Sequence, residues 1–303
     1  MKRTRLFSNL VTAVLVLTIG GCFDAHIELK VSKDGSGTLT ETTYFSKQVS
    51  AMMAMAASGE GQEGAKNPLE QMIDKDVLAK KANTLGEGIT LQSAKALKEE
   101  DGRQGAQIVY AIADVNKFKL PLSTDLSTGA PGGTGGPEAA AEGKKEQKET
   151  AVINFTKATA DTPATLTINM PKRQTEEKAE ATGKEEGQPT PAKSPQPGAE
   201  KADEEAAKAI MKQMMGDMRM RITVKVDGKI TKTNATFVND DKTGITLIDM
   251  NFGKLLTDDK LMAKMQGIEQ PKTLEEAKKI FNDPAFKDFM KFELEEKVTV
   301  EFK

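Results

Sequence analysis

The chain has 303 residues, a formal net charge of −2, one cysteine and no tryptophan. With 43 basic and 45 acidic residues it has no strong basic field to recruit nucleic acid or anionic headgroups, and two tyrosines give few aromatic platforms for bases or sugars. The lone cysteine excludes an intrachain disulfide, so any core must be stabilised by burial alone.

Lys2, Arg3 and Arg5 open the chain, an apolar run follows from Leu6 to Ile19, and Gly20 and Gly21 precede Cys22. A basic start, a short apolar run and a small-residue cleavage site read as a secretory signal peptide over residues 1–21. Ser8, Asn9 and Thr12 interrupt the run, which is also short for a permanent spanning helix. Ile19, Gly20, Gly21 and Cys22 resemble the lipobox of bacterial lipoproteins. That resemblance implies cleavage before Cys22, acylation there (palmitate or similar chains) and attachment to a membrane of the cell envelope. Phe23 follows Cys22 and does not decide between the inner and outer membrane, or between a periplasmic and an outer surface. The competing reading is an ordinary signal peptide followed by an incidental free thiol.

Ile27, Leu29 and Val31 alternate with Glu28, Lys30 and Ser32, as in a strand with one wet face. Asp34-Gly35, Asp101-Gly102 and Asp227-Gly228 each predict a hairpin between strand-like flanks. The first joins this strand to residues 37–45, the second joins 89–97 to 106–118, and the third joins 219–226 to 229–238. A fourth pair, 151–155 and 164–170, turns at Asp161-Thr162-Pro163, and strands at 244–250 and 298–302 complete the series. Ser46 is placed to cap a helix running to Ala57. Asn67-Pro68-Leu69-Glu70 opens a second helix, with Leu69, Met72, Ile73 and Val77 as its apolar stripe. A third helix is predicted over 205–217, a fourth from Thr273 to Phe281, and a short one from Asp283-Pro284 carrying Phe286, Phe289 and Met290.

Two segments, 122–149 and 172–204, are rich in Gly, Pro, Glu, Lys and Ala and almost lack large apolar residues. Such composition cannot bury enough surface to offset ordering, so both are predicted to be disordered inserts. The reading is therefore an α+β fold, with antiparallel sheets built from hairpins and packed with several helices. Residues 22–121, 150–171 and 205–303 would contribute to one domain, leaving open a split into two.

Asp34-Gly35-Ser36-Gly37, following a lipobox cysteine and an alternating strand, resembles the start of LppM-like bacterial lipoproteins. Val226-Asp227-Gly228-Lys229-Ile230, Thr233-Asn234-Ala235 and Gly244-Ile245-Thr246 are similar to a second patch of that family. The family often has an aromatic residue after the second turn, where Leu247 stands nearby in this chain. The resemblance implies a membrane-anchored, non-enzymatic envelope domain and brings no catalytic residues with it.

The residues themselves point the same way. His26, the only histidine, stands on the polar face of the first strand with no nucleophile motif near it, and reads as a solvated strand residue. The acidic clusters Asp74/Asp76, Glu99/Glu100/Asp101, Asp240/Asp241 and Asp258/Asp259 read as turns and helix starts rather than acid–base pairs. No catalytic residue, metal site or cofactor is assigned. The methionines are the unusual feature: Met52 and Met53 in the first helix, and Met211, Met214, Met215 and Met218 at helical spacing in the third. They can pack a core, line an apolar groove for an acyl lipid or a partner helix, or hold Cu(I) through thioethers. The leading expectation is a non-catalytic lipoprotein binding an envelope protein or a lipid, with no nucleic-acid partner. The alternative is a periplasmic Met-rich Cu(I)-handling protein.

Overall fold

The first strand, β1 (Phe23–Val31), alternates as its sequence requires. Phe23, Ala25, Ile27, Leu29 and Val31 are buried on one face, while Asp24, His26 and Glu28 lie half-exposed on the other. The computed structural model describes residues 23–58, 68–122, 150–171, 216–266, 274–281, 283–286 and 289–303. The signal segment, Cys22 and most of both predicted inserts lie outside them.

A tight turn at Asp34-Gly35 brings β2 (Gly37–Phe45) back antiparallel to β1, with Phe23 opposite Phe45 and Val31 opposite Gly37. Helices α1 (Lys47–Ser58), α2 (Pro68–Met72) and α3 (Lys75–Leu85) follow. The second hairpin, β3 (Ile89–Lys98) and β4 (Gln104–Ile112), joins β2 through β4. A 3₁₀ turn over Val115–Lys117 then carries the chain to β5 (Lys119–Pro121). Next come the hairpin β6 (Thr150–Thr156) and β7 (Ala164–Asn169), then β8 (Arg219–Val226), β9 (Ile230–Thr233) and β10 (Gly244–Asn251). Helices α4 (Phe252–Thr257), α5 (Asp259–Gln266) and α6 (Leu274–Phe281) precede β11 (Met290–Phe292) and β12 (Lys297–Phe302).

The strands form a seven-stranded sheet, in the order β11-β10-β8-β1-β2-β4-β3, and a five-stranded sheet, β5-β6-β7-β12-β9. Their inner faces meet in one core. Leu29, Leu39, Tyr110, Ile222 and Leu247 of the large sheet pack in the same cluster as Leu120, Ile153, Leu166, Val300 and Phe302 of the small one. Two faces of alternating apolar residues can only be buried against each other, so the fold is an α+β sandwich with helices at its margins. Each fully buried aliphatic or aromatic side chain in that interface contributes about 1.5–3 kcal/mol.

Several local expectations need correction. Asp227-Gly228 does not make a hairpin, because β8 and β9 belong to different sheets. The turn is a corner: Asp227 N donates to Val31 O at 2.9 Å, and Lys229 and Lys303 exchange backbone bonds of 2.9 and 3.1 Å. Of the predicted partner strand 229–238, only Ile230–Thr233 forms, and Val238 keeps an isolated bridge to Ile245. The strand predicted to reach Phe118 ends at Ile112, where Asp114 turns the chain by accepting a bond from Asn116 N at 3.0 Å. The centre of the large sheet is a parallel pair, β1 with β8, which hairpin logic does not produce. The stripe Leu69–Val77 is cut in two by Asp74, which caps α3 through Asp76 N and Val77 N, leaving Val77 45% exposed. Asp283-Pro284 starts a turn rather than a helix, although Phe286 and Phe289 are buried as their composition demands. Leu122, placed at the start of the first insert, is 7% exposed and belongs to the core. Of the helix predicted over 205–217, Gly216 and Asp217 form a turn, and the rest lies outside the described residues.

Candidate functional site

The sandwich has two unlike ends. At the proximal end, where β1 begins and β2 finishes, the inner face continues past the two-sheet core into a separate apolar cluster. Phe23 and Phe45 stand opposite each other across the strands, and Ala25 lies beside them. Ser46 then starts α1, its hydroxyl accepting a bond from Val49 N at 3.3 Å. This cap aims Val49 and Met53 down onto Phe23 and Phe45, as residues one helical turn apart must share a face. Ser50 points the same way and ties the helix to β4 by accepting a bond from Gln104 N at 3.1 Å. Leu69 and Met72 of α2 and Met218, just before β8, close the cluster.

Of the methionines singled out by sequence, Met53 is 3% exposed and Met218 is half-buried against the same cluster. The structure thus brings together two side chains that are distant in sequence. Met52 lies in α1, but its side chain is outside the described residues, as are Met211, Met214, Met215 and the lipid-attachment candidate Cys22. Among the described residues, no group of three His, Cys, Asp or Glu side chains is placed to hold a metal ion. Chemically this cluster is a small closed apolar core, in which methionine fills the space between the strands and the helices.

A second cluster occupies the same end beneath α4, α5 and α6. Phe286, Phe289 and Met290 are buried, and Leu255, Leu261, Ile280, Phe281 and Phe292 pack on them. Phe286 and Phe289 meet edge to face with centroids 5.4 Å apart. Lys264 lies 5.2 Å from the Phe286 ring centre and donates to Asp283 at 2.7 Å. In sequence, Phe286, Phe289 and Met290 read as a short helix of their own. The turn over residues 283–286 that brings them against α4–α6 leaves no trace in the apolar pattern.

The polar face of the large sheet carries His26, which is half-buried rather than solvated. Its Nε2 shares a 2.9 Å hydrogen bond with Thr223 Oγ1 on the neighbouring parallel strand. Burial, and then the Arg221 guanidinium, hold its pKa below the ordinary histidine value, so the ring is neutral near pH 7. Arg219 binds Asp249 with two bonds of 2.8 Å. Arg221 Nε is buried without a partner. The acidic clusters are structural: Asp74 and Asp258 cap helices, and the Asp101 and Asp241 carboxylates close turns, held below the usual carboxylate range by bonds from Arg103 and Thr243. Two polar groups unforeseen in the sequence are deeply buried. Tyr110 OH has no partner, and burial followed by Glu41 pushes its pKa upward. Glu293 is satisfied by the amides of Thr236, Leu294 and Glu295 at 2.7–3.1 Å.

The motifs that carried the family resemblance lie at the distal end and at the margins of the small sheet. Gly35, at φ +91°, brings its backbone against the Phe155 ring of β6. Asn234 uses its side-chain amide as a strand would, donating to Lys297 O at 2.9 Å and accepting from Thr299 N at 2.7 Å. Gly35 thus packs one sheet on the other, and Asn234 extends the edge of the small sheet.

No family model matches the chain. No curated protein matches it either. Among solved structures, the folded domain of Mycobacterium tuberculosis LppM is a match at 9% sequence identity, covering 77% of this chain and 84% of that one with a TM-score of 0.27, too low to bear on fold or function.

Proposed function

We propose that this chain is a non-catalytic lipoprotein of the cell envelope, held to a membrane by acyl groups on Cys22, whose sandwich serves as a binding module for an envelope protein or an acyl lipid. The observation that carries the reading is covalent: the residue after Cys22 is Phe23, the first residue of β1 and part of the proximal apolar cluster. The basic start, the apolar run and the Ile19-Gly20-Gly21-Cys22 site supply the export and acylation signals. Each buried acyl methylene contributes about 0.8 kcal/mol, so two or more chains hold a protein stably where one does so only marginally. Polar groups used as helix caps, turn closures and strand substitutes favour a binding role over catalysis.

Fractionation of bacterial envelopes tests the anchor. The Cys22→Ala variant should appear in the soluble fraction after washing, while the unaltered chain stays with the membranes. Equal retention of both would contradict the reading. The ligand class is tested separately by native mass spectrometry of residues 23–303 purified from a periplasm. A phospholipid or fatty-acid increment favours lipid binding, and a bare mass favours a protein partner.

A further inference from the structure

We infer that the proximal end of the sandwich rests on the bilayer, with the outward side of α1 in the headgroup layer. This rests on the Cys22 anchor proposed above. Consecutive Cα atoms lie about 3.8 Å apart, and Phe23 is already paired with Phe45 and 8% exposed. No leash therefore separates the acylated residue from the folded domain, whereas a flexible linker would let the domain drift tens of ångströms from the surface. The end of the sandwich that carries Phe23 is held at the membrane by chain connectivity alone.

What that end presents fits a lipid surface. Helix α1 begins two residues after Phe45 and reads Lys-Gln-Val-Ser-Ala-Met-Met-Ala-Met-Ala-Ala-Ser, with one cation and no acid. Val49, Ser50 and Met53 face inward, while Lys47, Gln48 and Ala51 are exposed. The described outward residues of the helix thus put a cation and no acid toward a headgroup layer, with which it is compatible. The acidic hairpin tip Glu99-Glu100-Asp101 is at the same end, beside Lys47, and carries like charge toward an anionic surface. The contact is therefore centred on α1. Among the described residues, the distal end carries the exposed carboxylates of Asp34, Asp227, Asp240 and Asp241 among lysines.

The occupant is the bilayer, and quenching tests it. The full chain, acylated at Cys22, is placed in vesicles of phosphatidylcholine and phosphatidylglycerol. Acylation consumes the native thiol, so a cysteine introduced as Ala51→Cys or, separately, Asp240→Cys is the one site for a fluorescent label. Brominated lipid should quench the Ala51 label, and iodide in the buffer should quench it about threefold less than the Asp240 label. Equal quenching of both labels in chains that stay on the vesicles would overturn the orientation while leaving the anchor standing. Chains that wash off the vesicles would overturn both.

Discussion

The distal corner of the sandwich is fixed by backbone hydrogen bonds, whereas the proximal cluster under α1 is built from side chains. Distally, Val115 N donates to Gly35 O, Asp227 N to Val31 O, and Lys229 N to Lys303 O at 2.9–3.0 Å, so the corner from β8 to β9 is tied to the large sheet on one side and to the small sheet on the other. Proximally, Phe23, Phe45, Val49, Met53 and Leu69 make a cluster of apolar contacts, beside which Asn251 N donates to Phe289 O at 2.7 Å and Gly253 N to Met218 O at 3.2 Å. A backbone corner tolerates almost no change of geometry. An apolar cluster containing methionine can re-pack, which is the property a surface needs in order to meet a lipid or a variable partner.

That contrast can be broken by substitution. Gly228 has φ +142°, and a Cβ there would stand 2.2 Å from Lys303 O, so Gly228→Val must part the corner and should cost about 3–5 kcal/mol in denaturant unfolding. Met53→Ala at the proximal end leaves a cavity and should cost about 2–3 kcal/mol. Gly102, in the proximal hairpin, has φ +93° but nothing within 4 Å of its would-be Cβ; Gly102→Ala should therefore cost only the conformational penalty of roughly 1–2 kcal/mol. Met53→Leu keeps volume and apolarity, and should cost less than about 1.5 kcal/mol if the cluster re-packs as described. A larger loss would mean the proximal end is as exacting as the distal one.

The smallest effect is a pH slope. His26 has a folded pKa below its ordinary value, so the unfolded chain takes up the proton first as pH falls below about 6.5. Stability should be fully present above that pH and decline below it, before the carboxylates of Asp34, Asp241 and Asp283, which are held low, begin to protonate. His26→Gln should flatten the slope just below about pH 6.5 in unfolding curves. An unchanged slope would place the titrating group elsewhere.

The same contrast governs how much could be read from sequence. The hairpins at Asp34-Gly35 and Asp101-Gly102 are legible because strand-like sequence stands on both sides of each turn and the partner is the next segment. Asp227-Gly228 carries the same local signal, yet its following strand pairs with β12, and nothing near Gly228 announces a partner at the far end of the chain. The parallel pairing of β1 and β8 is equally silent, and with it the Thr223 and Arg221 neighbours that make His26 half-buried. Asp74 reads as a turn or helix start, yet the apolar stripe from Leu69 to Val77 runs through it and hides the split it makes. In the candidate site, Met53 and Met218 were each flagged by composition, but their meeting on Phe23 and Phe45 depends on β1, β2 and β8 lying side by side.

The central claim is that Cys22 joins this sandwich directly to a membrane. Mass spectrometry of the amino-terminal peptide, from protein extracted with detergent from the envelope fraction, tests it most directly. The account predicts a chain beginning at Cys22 and carrying the mass of at least two acyl chains on that residue, with Phe23 next and unmodified. A chain that starts elsewhere, or a Cys22 bearing a free thiol in membrane-extracted protein, would contradict it.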